Sequence, residues 1–360
     1  MRKEKDISGC GIVGIMNEEG DTFSGDDVVV AICNMMERGN GLGAGFAGYG
    51  IYPDLKDYWC FHIMYEDEGA RVATEEYLKR HYMLEYHEPI PTKRVRTLRS
   101  VPSLFRYFLE THDEMRRVDG GEEDSVIDCA MEINRHIQGA FVFSSGKNMG
   151  VFKGVGNPDE IAEFYQIPAY NGYIWTAHNR FPTNSPGWWG GAHPFGILDW
   201  SVIHNGEISS YGINRRYLEN FNYSCCLSTD TEVMAYLFDL LVRRHGLDFE
   251  VVGKVLAPPF WSQIQRGEDK EEKAFLRGLR MIYGSALVNG PYAVVVANSN
   301  YMVGLNDRTK LRPLVAARKG NFLYMSSEEA AIRELCRDLD TVWMPKAGEA
   351  TIGSFKNGKS

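Results

Sequence analysis

An α+β fold, sheets covered by helices with one insertion, is predicted by three observations along the 360 residues. Strand-like apolar runs recur at Cys10 (CGIVGIM), Tyr173 to Ala177, Trp200 to His204, Tyr292 to Ala297 and Phe322 to Met325. Stretches from Asp230 to Arg244 and from Lys270 to Tyr283 repeat their apolar residues at helical spacing. Asp54 to about Gln138 is rich in charge and reads as an inserted, mostly helical lobe, with helices expected around Glu75 to Tyr82, Pro102 to Arg117 and Ser125 to Ile137.

Taken in order, Met1 to Gly9 (MRKEKDISG) is polar throughout, so it is neither a signal peptide nor an anchor. Asp26 to Arg38 begins with acids, ends with a base and carries apolar residues at helical spacing, as a helix aligned with its own dipole does. Gly39 to Gly50 is a glycine-rich passage into another strand. Its GAGFAG run fits a dinucleotide-binding pattern but in the reversed order of strand and helix, and reads as backbone packing or a turn. Ala140 to Ser145 and Gly150 to Lys153 flank Gly146-Lys147-Asn148 as the arms of a hairpin would. Ser144 to Lys147 matches S-x-x-K at that tip, without the companion motifs that would give it meaning.

Composition narrows the function classes. The hydrophobic and charged fractions, 44% and 24%, are those of a globular chain, and no run of about 18 apolar residues offers a membrane span, so a cytoplasmic protein is expected. Seven cysteines without a C-x-x-C pair argue against a disulfide framework and a structural zinc site, and no metal is expected. A formal charge of −9 works against nucleic acid as a partner.

Four stretches carry candidate chemistry. Cys10 opens a strand close to the chain start; cutting the bond before it would put an α-amine, which titrates at about 7.7 to 8, on the residue that bears the thiol. The alternative is a small buried cysteine. His178 to Phe195 (HNRFPTNSPGWWGGAHPF) leaves a strand and exposes Arg180, whose planar fork suits a carboxylate, before a segment that reads as a lid containing Trp188, Trp189 and His193. A surface ion pair is the other reading of Arg180. Trp200 to Ile208 (WSVIHNGEI) delivers Asn205 and Gly206 at a strand end, as an oxyanion hole or as a plain hairpin turn. Ser228 to Glu232 (STDTE) caps a helix and places Asp230 where it could face an ammonium.

Those residues, with MMERGNGLGAG at Met35, AHPF at Ala192, NDRTKLRPLV at Asn306 and YMSSEEAA at Tyr324, resemble in their order the class II glutamine amidotransferases. The resemblance spans Cys10 to about Leu335 and implies the family's four-layer αββα N-terminal nucleophile hydrolase sandwich, here with a helical insertion. It also implies that Cys10 attacks L-glutamine, that Arg180 with Thr183 holds the α-carboxylate, and that Asp230 holds the α-ammonium. Asn205 and Gly206 would stabilise the oxyanion, and Arg38 would support the pocket. Residues 1–9 would be a pro-segment removed before function, leaving 10–360 as the amidotransferase domain.

RFPTN, AHPF and HNGEI are most similar to the amidotransferase domain of glutamate synthase, and the chain length suits the separate subunit of the archaeal-type enzyme. That branch implies a partner flavoprotein that receives ammonia and carries the FMN and iron–sulfur clusters, with no cofactor in this chain. Delivery to another acceptor, as in an N-methylglutamate synthase, and a non-catalytic regulatory subunit are the alternatives.

Overall fold

The computed structural model describes residues 9–112, 121–182, 187–227 and 229–356. Two antiparallel sheets stack face to face. The first runs, edge to edge, through Thr341–Trp343, Val315–Lys319, Phe322–Ser326, Gly11–Asn17, Ile174–Asn179, Ala44–Tyr49 and Met149–Gly154. The second runs through Phe195–Ile197, Trp200–Gly206, Tyr292–Ala297, Tyr301–Asn306 and Thr351–Ser354. The central strands read as unbroken apolar runs because they are buried on both faces.

Helices Asp26–Cys33, Pro158–Tyr165 and Glu329–Leu335 cover the first sheet, and Asp230–Phe238 lies on the second, with Tyr211–Glu219 packed against it. The result is the four-layer αββα sandwich. Between the sheets, the Tyr49 hydroxyl donates to Ala297 O at 2.9 Å and shares a 2.7 Å hydrogen bond with the Ser201 hydroxyl, a buried polar link across an apolar interface.

The sheets approach closely where Gly14 faces Val295 and Met302. A Cβ at position 14 would lie 2.9 Å from Val295 Cγ1 and 2.7 Å from Met302 Sδ. Methionine can swing aside, whereas a valine on a paired strand has little freedom at χ1.

The insertion differs from the predicted helical lobe. Helices Glu68–His81 and Gly121–His136 are present, but Ser103–Thr111 is a strand at the centre of a sheet ordered Tyr82–Pro89, Ser103–Thr111, Trp59–Tyr65, Ala140–Ser144. In SLFRYFLET, Phe105, Tyr107 and Phe108 favour a pleated, half-buried surface, and cross-strand packing outweighs the helix-start signal of Pro102.

Ala140–Ser144 and Met149–Gly154 are also not a hairpin. The first pairs with Trp59–Tyr65 in the insertion and the second with Ala44–Tyr49 in the main sheet. Asn148 makes the exchange possible: its carbonyl accepts from Gly50 N–H and its side chain from Tyr52 N–H, anchoring the turn away from its own flanking strands. The GAGFAG run is the strand Ala44–Tyr49, where Gly45 leaves room for His193 O.

His62 packs where the insertion meets the first sheet. It donates from Nδ1 to Val151 O at 2.8 Å and accepts from the Tyr52 hydroxyl at 3.0 Å, and burial pushes it down to about 3. Its folded value lies below the unfolded one, near 6.5. The contribution of neutral His62 is therefore complete above about pH 6.5 and lost as pH falls toward 3, at up to about 1.4 kcal/mol per pH unit. Urea midpoints at pH 7 and pH 5 are expected to differ less in His62→Gln than in the wild type. Gly14→Ala is expected to destabilise by about 1 to 3 kcal/mol through overpacking, read from the shift in urea midpoint at unchanged m-value.

Candidate active site

The pairing of Gly11 with Asn179 sets the site's starting geometry. One residue beyond that ladder, Cys10 meets Phe181, whose N–H points at Cys10 Sγ at 3.3 Å. Burial pushes the Cys10 thiol above its ordinary value, against the Phe181 N–H and the Arg180 and Arg312 guanidinium groups, which favour the thiolate. The thiol is therefore protonated at neutral pH and needs a base before it can attack.

Arg38 reaches Cys10 because its own helix stops short. The predicted helix to Arg38 is α-helical only from Asp26 to Cys33 and ends in a 3₁₀ turn, Met36–Arg38. Asn179 Nδ2 donates to the carbonyls of Met35 and Met36 at 2.9 and 3.0 Å, which also accept from the Arg38 and Gly39 N–H groups, so the turn is held from outside as well as by its own backbone. Arg38 then donates from Nε to Cys10 O at 3.1 Å and from Nη1 to Glu328 at 2.6 Å.

Cys10, Arg180, Gly206 and Asp230 line one cavity of about 380 Å³, a volume suited to an amino acid. Arg180 is 3% exposed, and burial pushes its guanidinium down while Cys10 and Asp230 favour the charge. Its main chain is tied to Gly43 O at 2.9 Å. Asp230 is the first residue of Asp230–Phe238, with Thr229 as the cap. Burial pushes the Asp230 carboxyl up, but His204, the Ile208 N–H at 2.9 Å and the Thr231 hydroxyl outweigh it and hold the group below the usual carboxylate range. An anion and a cation thus face the same small space.

Asn205 is the last residue but one of the strand Trp200–Gly206 and is 1% exposed. Its Nδ2 lies 3.5 Å from Ser327 Oγ, which in turn accepts from Ile12 N–H at 3.3 Å. Gly206 has φ +147°, and a Cβ there would lie 1.9 Å from Pro291 O, so no other residue fits.

The three residues read as a lid are placed otherwise. His193 is in the cavity wall, stacked on His178 at 4.1 Å and sharing a 2.6 Å hydrogen bond with Thr231 Oγ1. Burial holds it well below its ordinary value. Trp188 packs edge-on to Phe141 of the insertion at 5.1 Å, and Trp189 packs on Phe164 at 5.7 Å; neither lines the cavity. Thr183 lies outside the described residues, as do residues 184–186 of the same segment.

Sequence reasoning missed several contributors. His204 shares Thr231 Oγ1 with His193, at 3.1 Å, and stands beside Asp230; Ile208 N–H, Ser327 and Arg312 complete the surroundings. His204 sits within HNGEI, Arg312 within NDRTKLRPLV and Ser327 within YMSSEEAA, so the signal was their place in those motifs. Among the described residues no group of three or more His, Cys, Asp or Glu side chains is placed to hold a metal ion.

Comparison with known proteins places these features in a family. The model of the family described as "Glutamine amidotransferases class-II" matches residues 125–338, more than half the chain; the span takes in Arg180, Asn205, Gly206 and Asp230 and begins after Cys10. An uncharacterized protein of Archaeoglobus fulgidus is 50% identical over 98% of this chain and 94% of its own length. A protein of Methanothermobacter thermautotrophicus named "Putative glutamine amidotransferase" is 25% identical over 95% of this chain and 99% of its own. Among solved structures, the glutamine phosphoribosylpyrophosphate amidotransferase from B. subtilis aligns over 96% of this chain and 47% of its own, with a TM-score of 0.47 and 15% identity. On the extent of the family match, the chain belongs to the class II glutamine amidotransferases.

Proposed function

We propose that the protein hydrolyses L-glutamine to glutamate through a Cys10 thioester and passes the ammonia to a partner synthase. The observation that carries the reading is the convergence of Cys10, Arg180 and Asp230 on one amino-acid-sized cavity. Arg180 takes the α-carboxylate and Asp230 the α-ammonium, which directs the side-chain amide toward the sulfur. Thr183 is assigned to the carboxylate with Arg180 on its motif alone.

The protonated thiol requires a base. Cutting the Gly9–Cys10 bond would supply one, the α-amine of Cys10 itself, and Arg38 would keep that residue in place through its carbonyl. The amine takes the thiol proton and the sulfur adds to the amide carbon. The resulting oxyanion is met by Asn205 Nδ2 and Gly206 N–H. The ammonium form of the base returns its proton to the leaving nitrogen, ammonia departs, and water cleaves the γ-glutamyl thioester.

The acceptor is assigned to a glutamate synthase-type flavoprotein subunit, the FMN and iron–sulfur clusters residing there. RFPTN, AHPF and HNGEI support that branch. Co-purification followed by product analysis tests it; an acceptor product other than glutamate would reject it.

Two measurements address the site. Asn205→Ala is expected to lower glutaminase kcat by about 10² to 10³ with a small change in KM, and near-normal turnover would remove Asn205 from the oxyanion role. Labelling with a glutamine-like diazoketone, followed by peptide mapping, is expected to modify Cys10 in a chain whose intact mass begins at that residue. An active chain that retains Met1 to Gly9 would refute the amine-as-base mechanism.

A further inference from the structure

Arg312 stands on the leader side of Cys10, outside the cavity in which glutamine is placed. A Cβ on Gly9 would lie 3.5 Å from Arg312 Nη1, 3.5 Å from Arg38 Nη2 and 3.7 Å from Asn205 Oδ1, so two guanidinium groups flank the bond to be cut. The two arginines differ in their pairing. Arg38 is neutralised by Glu328, whereas Arg312 makes no ion pair among the described residues, and its buried Nε has no hydrogen-bond partner there.

The loop that carries Arg312 is built to hold it. The buried Asp307 carboxylate accepts from Thr309 N–H at 2.7 Å, Leu311 N–H at 3.0 Å and Tyr292 N–H at 3.1 Å. Asn306 Nδ2 donates to Arg312 O at 2.8 Å. A rigid loop that aims an unpaired cation at a nucleophile's N-terminal side, away from the substrate, is placed to act on the α-amine.

We propose that Arg312 is a positioning residue for charge: it holds the α-amine of mature Cys10 in its unprotonated, basic form at neutral pH. The inference rests on the amine-as-base reading. An unperturbed α-amine, near about 7.7 to 8, is mostly protonated at pH 7 and cannot accept the thiol proton. A neighbouring cation disfavours the ammonium and lowers that value. The charged groups around Cys10 are Arg38 from the 3₁₀ turn, Arg180 from the end of its strand, Arg312 from the loop, Asp230 and Glu207 in the cavity lining, and Glu328 beyond Arg38. Glu328 is engaged by Arg38, and Asp230 by His204 and the Ile208 N–H, whereas no ion pair offsets the charge of Arg312 among the described residues.

The test is the pH profile of glutaminase kcat/KM in the full chain, with intact mass recorded for every variant. Arg312→Met and Arg312→Gln are expected to mature to Cys10 and to move the acid limb up by about one pH unit. That is about a tenfold loss at pH 6 relative to wild type, recovering as the pH is raised. Arg312→Lys, which keeps a cation, is expected to keep the limb near its wild-type position. Neutral variants that mature with an unmoved limb would overturn the proposal. So would neutral variants that retain Met1 to Gly9 while Arg312→Lys matures, since Arg312 would then serve cleavage. A wild-type chain that is active without a free Cys10 amine would instead refute the underlying mechanism, so the two failures are distinguishable.

Discussion

The pairing register between Gly11–Asn17 and Ile174–Asn179 is the constraint on which the rest of the site depends. It sets Cys10 against Phe181 and brings Arg180 to the same cavity, although the two strands are far apart in the chain. A slip of one residue would turn every side chain of one strand to its opposite face. Both faces of the strand Gly11–Asn17 are buried, one under Asp26–Cys33 and the other against Val295 and Met302, so a slip would misplace apolar groups along its whole length. The register is enforced by packing remote from the chemistry. Asn179 extends that control: the residue that ends the arginine strand also holds the turn that carries Arg38.

Around the cavity, Asp230 and the buried histidines are each held in one charge state by their surroundings. Asp230 keeps its proton off despite burial because a helix start, a backbone N–H and His204 surround it. His178 and His193 are buried beside Arg180 and Lys153, and burial with neighbouring positive charge keeps them neutral. Neutral His193 supplies part of the cavity wall without competing for its two opposite charges. His178 donates to His204 O at 2.9 Å and His193 stacks on it, so the wall is fixed by its own contacts.

The central strands were legible because burial on both faces writes an apolar run into the chain, and Tyr292–Ala297 agrees with its predicted bounds. Several cavity-lining residues were legible through short motifs at strand and helix ends, where a local backbone shape demands particular residues: Gly206 at positive φ, Thr229 and Asp230 at a helix start. What could not be read was set by partners distant in sequence. Ser103–Thr111 carries aromatic residues at spacings compatible with a helix, and only the strands on either side decide the matter. The arms at Ala140 and Met149 look like a hairpin because alternation records a strand but not which sheet receives it. Arg312 lies in a loop whose meaning depends on Gly9, about 300 residues earlier.

The two tryptophans show how such long-range partners reassign a role. Their place between Arg180 and His193, among glycines and prolines, suggests a cover for the cavity, yet each ring is committed elsewhere, Trp188 to Phe141 and Trp189 to Phe164. The Trp188 ring also folds back over the chain: a Cβ on Gly190 would lie 2.2 Å from it and one on Gly191 2.5 Å from its Nε1. That contact explains the WWGG run, since the ring needs two glycines beneath it. Lys153 then fixes the same turn from below, donating to Gly190 O at 3.0 Å with its ammonium 4.1 Å from the centre of the Phe195 ring. Gly191 lies against the Arg180 guanidinium, a Cβ there being 3.4 Å from Nη1. Arg180 therefore rests on a turn clamped by the insertion on one side and by a buried lysine on the other. Trp188 thus acts on the site indirectly, by setting the turn against which the Arg180 guanidinium stands.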